Sequence, residues 1–342
     1  STIFRKLDWN NNIIWKYTIP NEVCAIHHQQ TILPNGNILA ICSETITEED
    51  NIYMDIDLVI DKVIEIESVN ENQINIVWEW HFYDHLIQDS NPNLDNYGVI
   101  SENPQLLDIG LYFGSSYSHI NCIDYNDELD QIIISSRIRN EVYVIDHSTT
   151  TEEASSHIGG MYNMGGDILY RWGNPINYGR GEQSDQKLFA PHGVNWIKSG
   201  FLGGGNILLF NNNHSDSLSA VVEFHPPILY NGTYSLEDSL SFGPDNFTWV
   251  NQSDYYAITN SGAIRMPNGN TFITSYGEQG SNVKIFEIDY NGIIQWEYLG
   301  NLISKRAMKY EEGYFNSSLC DAGYTEIDGE CYYHSDLDVV QD

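Results

Sequence analysis

Apolar and polar residues alternate in short runs along the chain, and helical spacing of apolar residues is nearly absent. Such runs, bounded by Asn, Asp, Gly and Pro, predict short strands joined by tight turns. One pattern is a polar turn followed by alternating apolar residues that end in an aromatic. It recurs as LDWNNNIIWKY (7–17), NENQINIVWEW (70–80), GDILYRW (166–172) and DYNGIIQWEY (289–298). A second pattern is a Pro-Asn-Gly-Asn hairpin running into a strand, as LPNGNILAIC (33–42) and MPNGNTFITSY (266–276). GGGNILLFNN (203–212) is a looser relative, and LDQIIISSR (129–137) takes a similar place without the glycine. Asn-Gly supplies the positive φ that a hairpin turn requires, and the flanking residues alternate with period two.

Many short strands at regular spacing and no long helix imply a sandwich, barrel or propeller. With about 30 C-terminal residues set aside, the chain divides into roughly six units of about 50 residues, a blade-sized period. The expected fold is therefore all-β: a six-bladed β-propeller over residues 1–312. Stretches 43–55, 86–117 and 177–190 are polar and irregular, and read as insertions between strands. Residues 313–342 differ in kind: CDAGYTEIDGEC is a short cysteine-closed loop followed by an acidic stretch. They read as a cap on the propeller or a linker to a further module.

Charge narrows the function. The 342 residues carry 15 Lys and Arg against 48 Asp and Glu, a net charge of −33. Nucleic acid and anionic membrane surfaces would be repelled, so neither is an expected partner. The acidity reads first as a solubility device, and second as a means of attracting calcium or cationic partners. No apolar run reaches the roughly 18 residues of a membrane span, and Ser1–Arg5 carry no signal-peptide pattern. Of five cysteines, Cys320 and Cys331 flank the C-terminal loop and are expected to bond. Cys24 and Cys42 flank a hairpin turn and form a weaker pairing, which leaves Cys122 as a buried thiol. Glycosylation sequons begin at Asn213, Asn231, Asn246, Asn251 and Asn316. Cysteines and sequons together favour an extracytoplasmic setting: periplasmic, cell-surface or secreted.

Several histidines precede hairpins. His27 and His28 stand before the first PNGN turn; His119 opens HINCIDYNDELDQIIISSR, with Asn121 two residues on and Arg137 at the end of the next strand. His192 lies in FAPHGVNWI, just before GGGNILLF. Equivalent positions of successive blades converge on a propeller's channel, so these imidazoles, the amide and the guanidinium are expected to share a pocket. His85, His147, His157, His214, His225 and His334 read as satisfied core or surface residues, and Arg137 reads equally well as an ion-pair partner between blades. No His-x-His or Cys-His spacing of metal-ligand type occurs, so no metal is expected at the site. Nor is there a Gly-x-Ser-x-Gly elbow or a phosphate-binding glycine loop.

At these residues the sequence resembles the bacterial arylsulfate sulfotransferases. The resemblance runs from about residue 7 to residue 300. It is carried by IHHQQTILPNGNILAI, SHINCIDYNDELDQIIISSRIRNEVYVID, GDILYRWGNPINYGRG with FAPHGVNWI, and SGAIRMPNGNTFIT. It implies a six-bladed propeller that moves a sulfuryl group from an aryl sulfate to a phenolic acceptor. The route it implies is ping-pong, through a sulfohistidine, with no nucleotide donor and no required cofactor. It also implies that His192 is the nucleophile, that His119, Asn121 and Arg137 bind sulfate, and that His28 is the histidine before the first turn. The 23 Tyr and 8 Trp offer faces for aromatic substrates. A structural calcium stays open but is not expected. The alternatives are a non-catalytic propeller for adhesion, glycan binding or homo-oligomeric surface assembly, and a lyase or hydrolase acting on a sulfated polysaccharide.

Overall fold

The computed structural model describes residues 2–8, 12–20, 23–53, 56–70, 73–111, 117–215, 218–252, 255–277, 283–300 and 306–310, with the backbone of 324–327 and 330–333. β1 (Thr2–Leu7) and β2 (Ile13–Ile19) form a hairpin. A first four-stranded sheet holds β3 (Ala25–Ile32), β4 (Ile38–Ile46), β5 (Leu58–Asn70) and β6 (Gln73–His81). Two parallel two-residue strands follow, β7 (Leu86–Ile87) and β8 (Leu107–Asp108). The second sheet holds β9 (Ile120–Asn126), β10 (Gln131–Ser136), β11 (Glu141–Asp146) and β12 (Tyr170–Trp172), with one helical turn, α1 (Thr151–Ala154), before its last strand. The third holds β13 (Pro191–Trp196), β14 (Ile207–Ser215), β15 (Leu218–Phe224) and β16 (Trp249–Gln252). The fourth holds β17 (Gly262–Arg265), β18 (Thr271–Ser275), β19 (Val283–Ile288) and β20 (Ile294–Gly300). β21 (Tyr324–Ile327) and β22 (Glu330–Tyr333) make a further hairpin. Among the described residues the protein is thus all-β, with six antiparallel sheets. No helix among them is long and apolar enough to cross a membrane.

The two repeated sequence patterns occupy fixed places in these sheets. PNGN and its relatives form the turn between the first and second strands, and the aromatic-ended pattern forms the last strand. The middle strands depart from period-two alternation. In β4, Leu39 and Ile41 pack on one face while Ile38, Ala40 and Cys42 pack on the other. Ile132 and Ile134 of β10 oppose Ile133, and Ile207 and Leu209 of β14 oppose Leu208 and Phe210. Separate cores therefore fill the spaces between successive sheets, and a strand buried on both faces becomes an apolar run. β4 also continues to Ile46, so the polar stretch that follows begins after the predicted position 43.

The hairpins share one clamp. In 33–37, the Leu33 and Gly36 amides close the turn against the Asn37 and Leu33 carbonyls, and 266–270 repeats this from Met266 to Asn270. Gly36 has φ +84 with open space where a Cβ would stand, so the turn selects glycine by backbone conformation alone. Both asparagines of each turn donate to a glutamate on the third strand: Asn35 and Asn37 to Glu65, Asn268 and Asn270 to Glu287. Asn206 donates to Glu223 in the third sheet at 2.5 Å. Each glutamate also pairs with a cation from later in the chain: Glu65 with His147, just after β11 of the second sheet, at 3.0 Å, Glu223 with Arg265 of β17 at 2.5 Å, and Glu287 with Lys309. The hairpin of the second sheet has Asp130 in place of the last asparagine, and the glutamate position is Ile145. There His147 bonds Asp130 instead, at 2.7 Å.

Cys24 and Cys42 are disulfide-bonded, with Cα atoms 5.4 Å apart, and pin the start of β3 to β4. Cys122 is a free buried thiol on β9. Cys320 and the side chain of Cys331 lie outside the described residues, as does most of 313–342, Asn316 and His334 included.

Candidate functional site

β3, β9, β13 and β17 lie side by side, and the first three carry a break in pairing register toward the end away from the hairpin. On β3 the pairing jumps from Ile26 to Gln30, with His28 at φ +59. On β9 it skips Asn121, with His119 at φ +44 just before the strand. On β13 it jumps from His192 to Asn195, with Gly193 at φ +65, and Asn260 and Ser261 precede β17 at φ +55 and +79. Bulges of this kind re-aim side chains at the end of a strand. A Cβ on Gly193 would lie 2.7 Å from Gly262 Cα, so this approach of β13 to β17 admits only glycine.

His192 is 3% exposed. Its Nδ1 is 3.0 Å from the Ala190 carbonyl and 2.8 Å from Asn212 Oδ1. The Asn212 amide donates to the Ala257 carbonyl at 2.8 Å and the Asn260 carbonyl at 3.2 Å, which fixes its oxygen toward the imidazole. Both neighbours of Nδ1 accept, so Nδ1 carries the proton and Nε2 keeps its lone pair. Nε2 is 3.5 Å from the Thr259 hydroxyl. Burial pushes the His192 pKa down to about 4, against the pull of those two acceptors, and the charges of nearby Arg137 and His119 add to the effect. The ring is therefore neutral over the physiological range.

Arg137 donates its backbone N–H to the His119 carbonyl at 3.2 Å, and its Nε is buried with no hydrogen-bond partner among the described residues. An unsatisfied buried N–H of this kind suits an anion. His119 meets His28 ring to ring at 5.2 Å. Burial lowers its pKa, Arg137 and His27 lower it further, and Asp61 opposes them. The structure separates the two neighbouring histidines. His28 faces His119, while His27 stands behind it with its Nδ1 2.7 Å from His28 Nδ1 and its Nε2 3.0 Å from Asp61. Asp61, 1% exposed on β5, also accepts from the Ser118 hydroxyl at 2.6 Å and the Ile120 amide at 2.7 Å. Burial would raise its pKa, but the hydrogen bond and charge of His27, with those two donors, hold it below the usual carboxylate range.

Asn121 is engaged in bracing: Ser135 donates to its oxygen at 2.6 Å, and its amide donates to the Pro191 carbonyl at 2.8 Å. It joins β9 to β13 beside His192. Arg306, from the segment after β20, and the Cys122 thiol of β9 both donate to Oε1 of Gln29 on β3. Burial pushes the Cys122 thiol up to about 12, so it is no nucleophile at neutral pH.

Four contributors escaped the sequence reading as site residues. Asp61 had one faint signal, a single acid inside the apolar run LVIDKVI. His27 was visible only as a rival to His28. Asn212 and Thr259 had none, since Asn212 sits in a run of three asparagines and Thr259 in an ordinary polar loop. Two surface hollows among the described residues share no residue with this group. One is lined by Tyr17, Ile19, Pro20, Val23 and 74–76, the other chiefly by Trp172, Tyr178 and Phe242.

No curated protein matches the chain in sequence. Among solved structures it is similar to the Cps50 (Swd1) beta-propeller domain of Myceliophteria thermophila, at 9% identity over 84% of this chain and 77% of that one, with a TM-score of 0.37. It is also similar to the periplasmic gluconolactonase PpgL of Pseudomonas aeruginosa, at 9% identity over 87% of this chain and 94% of that one, TM-score 0.28. A luciferin-regenerating enzyme matches at 8% identity over 78% of this chain, with a TM-score of 0.33, and the match spans 58% of that enzyme. The family model for arylsulfotransferase (ASST) matches residues 2–223, the stretch that carries His28, His119, Arg137 and His192, and the chain belongs to that family.

Proposed function

We propose that this protein transfers a sulfuryl group from an aryl sulfate to a phenol, in two half-reactions through a sulfohistidine at His192. The observation that carries the reading is the fixed tautomer of His192, which turns a neutral Nε2 lone pair toward the side of Thr259. In the first half-reaction Nε2 attacks sulfur, and the N–S bond forms as the S–O bond to the aryl group breaks. The departing phenolate takes a proton from His28. In the second, the acceptor phenol gives its proton to His28, its oxygen attacks sulfur, and the N–S electron pair returns to Nε2. Arg137 and His119 hold the sulfuryl oxygens as charge develops on them. The Asp61–His27–His28 chain serves the proton transfers by making His28 a better base through its ring partner. Nothing in this sequence of steps requires a nucleotide or a metal ion.

The fold that accompanies this reading is a six-bladed propeller over residues 1–312. Residues 313–342 are then a short extension closed by Cys320 and Cys331. An extracytoplasmic location is supported by the Cys24–Cys42 disulfide and by the exposed sequon asparagines Asn213, Asn231 and Asn246. Asn251 is half-buried and accepts a hydrogen bond from Tyr255.

The test is incubation with a chromogenic aryl sulfate and a phenol acceptor, followed by mass analysis of the protein quenched without acceptor. Phenol release and an added sulfuryl group on His192 are expected. An inactive wild type, or a His192→Ala variant of equal activity, overturns the proposal. The second reading, a non-catalytic propeller for adhesion or surface assembly, has one observation in its favour: His192 is only 3% exposed. It predicts no release at any acceptor concentration.

A further inference from the structure

A second group of donor atoms shares no residue with the histidine face. His85 closes the short turn after β6, while His157 and Asp167 lie in the loop between α1 and β12. His85 Nδ1 is 2.9 Å and His157 Nδ1 2.7 Å from the same oxygen, Oδ1 of Asp167. The three donor atoms lie within 4.8 Å of one another. The remaining nitrogen of His85, Nε2, is 2.9 Å from the Ala154 carbonyl.

A carbonyl oxygen only accepts, so His85 Nε2 carries a hydrogen, and Nδ1 of the neutral ring presents a lone pair to a carboxylate oxygen. Two lone pairs at that separation repel unless a proton or a cation stands between them. His85 is fully buried. A ligand histidine that donates its other N–H to a backbone carbonyl, beside a second imidazole and a carboxylate, is the arrangement found around divalent zinc. We propose that His85 Nδ1, His157 Nδ1 and Asp167 bind one divalent transition metal of the zinc class, with water completing the tetrahedron. The ion would pin the α1 loop of the second sheet to the turn that ends the first. No sequence motif marks the group, because its three members come from positions 85, 157 and 167 with no ligand-type spacing.

The experiment uses the full chain, stripped with a chelator and titrated with zinc and with cobalt(II). One equivalent of either should bind, zinc should raise the melting temperature, and cobalt should give the intense visible bands of a tetrahedral site. Trp80, stacked on His85 with ring centroids 5.4 Å apart, should lose fluorescence as cobalt binds. His157→Ala alters a largely exposed side chain and should fold normally while weakening binding at least about 100-fold; Asp167→Asn should do the same. A stripped wild type that takes up neither metal, or variants that bind as tightly as the wild type, overturns the proposal and leaves a proton between His85 and Asp167. The readout is metal binding, so it stands or falls separately from sulfuryl transfer.

Discussion

The first strand of each sheet has two ends, and they are built on opposite principles. At the hairpin end, carboxylates are enclosed by donors: two asparagines and a neighbouring cation converge on one buried glutamate, as at Glu65 and Glu287, while Arg265 Nε and the Thr271 hydroxyl have no partner among the described residues. At the bulged end, pairing is interrupted, φ turns positive at His28 and His119, Arg137 Nε is buried without a partner among the described residues, and His192 Nε2 lies 3.5 Å from the Thr259 hydroxyl. The first end spends its polar residues on holding sheets together. At the second, the polar residues hold side chains in place around Arg137, whose Nε has no partner among the described residues. Positive φ at non-glycine residues is strain that tends to collect at functional sites.

The comparison breaks most sharply at His192. His192→Ala should lower sulfuryl transfer by at least about 10⁴-fold, as loss of a nucleophile does, while the denaturation midpoint barely moves; paired kinetics and urea melts check both. Glu223→Gln should do the reverse. It leaves buried Arg265 without its carboxylate and should cost about 3–5 kcal/mol in unfolding free energy, with turnover per folded molecule unchanged. Arg137→Ala, read by steady-state kinetics, should cost about 10²-fold in rate, within the range for one lost charge-stabilising donor.

Acidity and alkalinity should separate the two ends in turn. With its pKa near 4, His192 is protonated only in strong acid, so the burst of phenol release should stay level down to about pH 4 and then fall. At the hairpin end, burial would lower the His147 pKa, but Asp130 and Glu65 hold it at about 9. A folded value above the unfolded value of about 6.5 means its stabilisation is complete below that pH and lost as pH rises through 9. Urea melts at pH 6, 8 and 10 should show this loss, and His147→Asn should remove that part of the slope. The smallest effect belongs to the turn itself: Gly36→Ala meets no steric contact and should cost about 1–2 kcal/mol from its left-handed backbone alone, seen in urea melts without change in rate.

Legibility in the sequence follows the same division. The hairpin end is local, since Pro-Asn-Gly-Asn sets its own φ and closes its own hydrogen bonds within five residues, and the repeat of that signal along the chain marks the sheets. The disulfide between Cys24 and Cys42 was visible for a similar reason, because the two residues flank one such turn. The apolar runs of β4, β10 and β14 announced strands but not their two-sided burial, which depends on a sheet packed against each face. At the bulged end, the place of His28, His119 and His192 before hairpins, with Arg137 at the end of a strand, marks them in the sequence, but their separate roles rest on resemblance to a family.

Local sequence suffices for the all-β character, the turn chemistry and the family that residues 2–223 match. Which nitrogen of His192 carries the proton is set by groups distant in the chain. That choice is made by Asn212, whose orientation is set by carbonyls at Ala257 and Asn260, 45 and 48 residues further along. Tertiary structure likewise told His28 from His27, because Asp61 arrives from the third strand of the sheet, 34 residues beyond His27. The physical reason is common to both. A turn is decided by torsions within a few residues, whereas the position of a proton depends on which donors and acceptors the folded chain brings within about 3 Å.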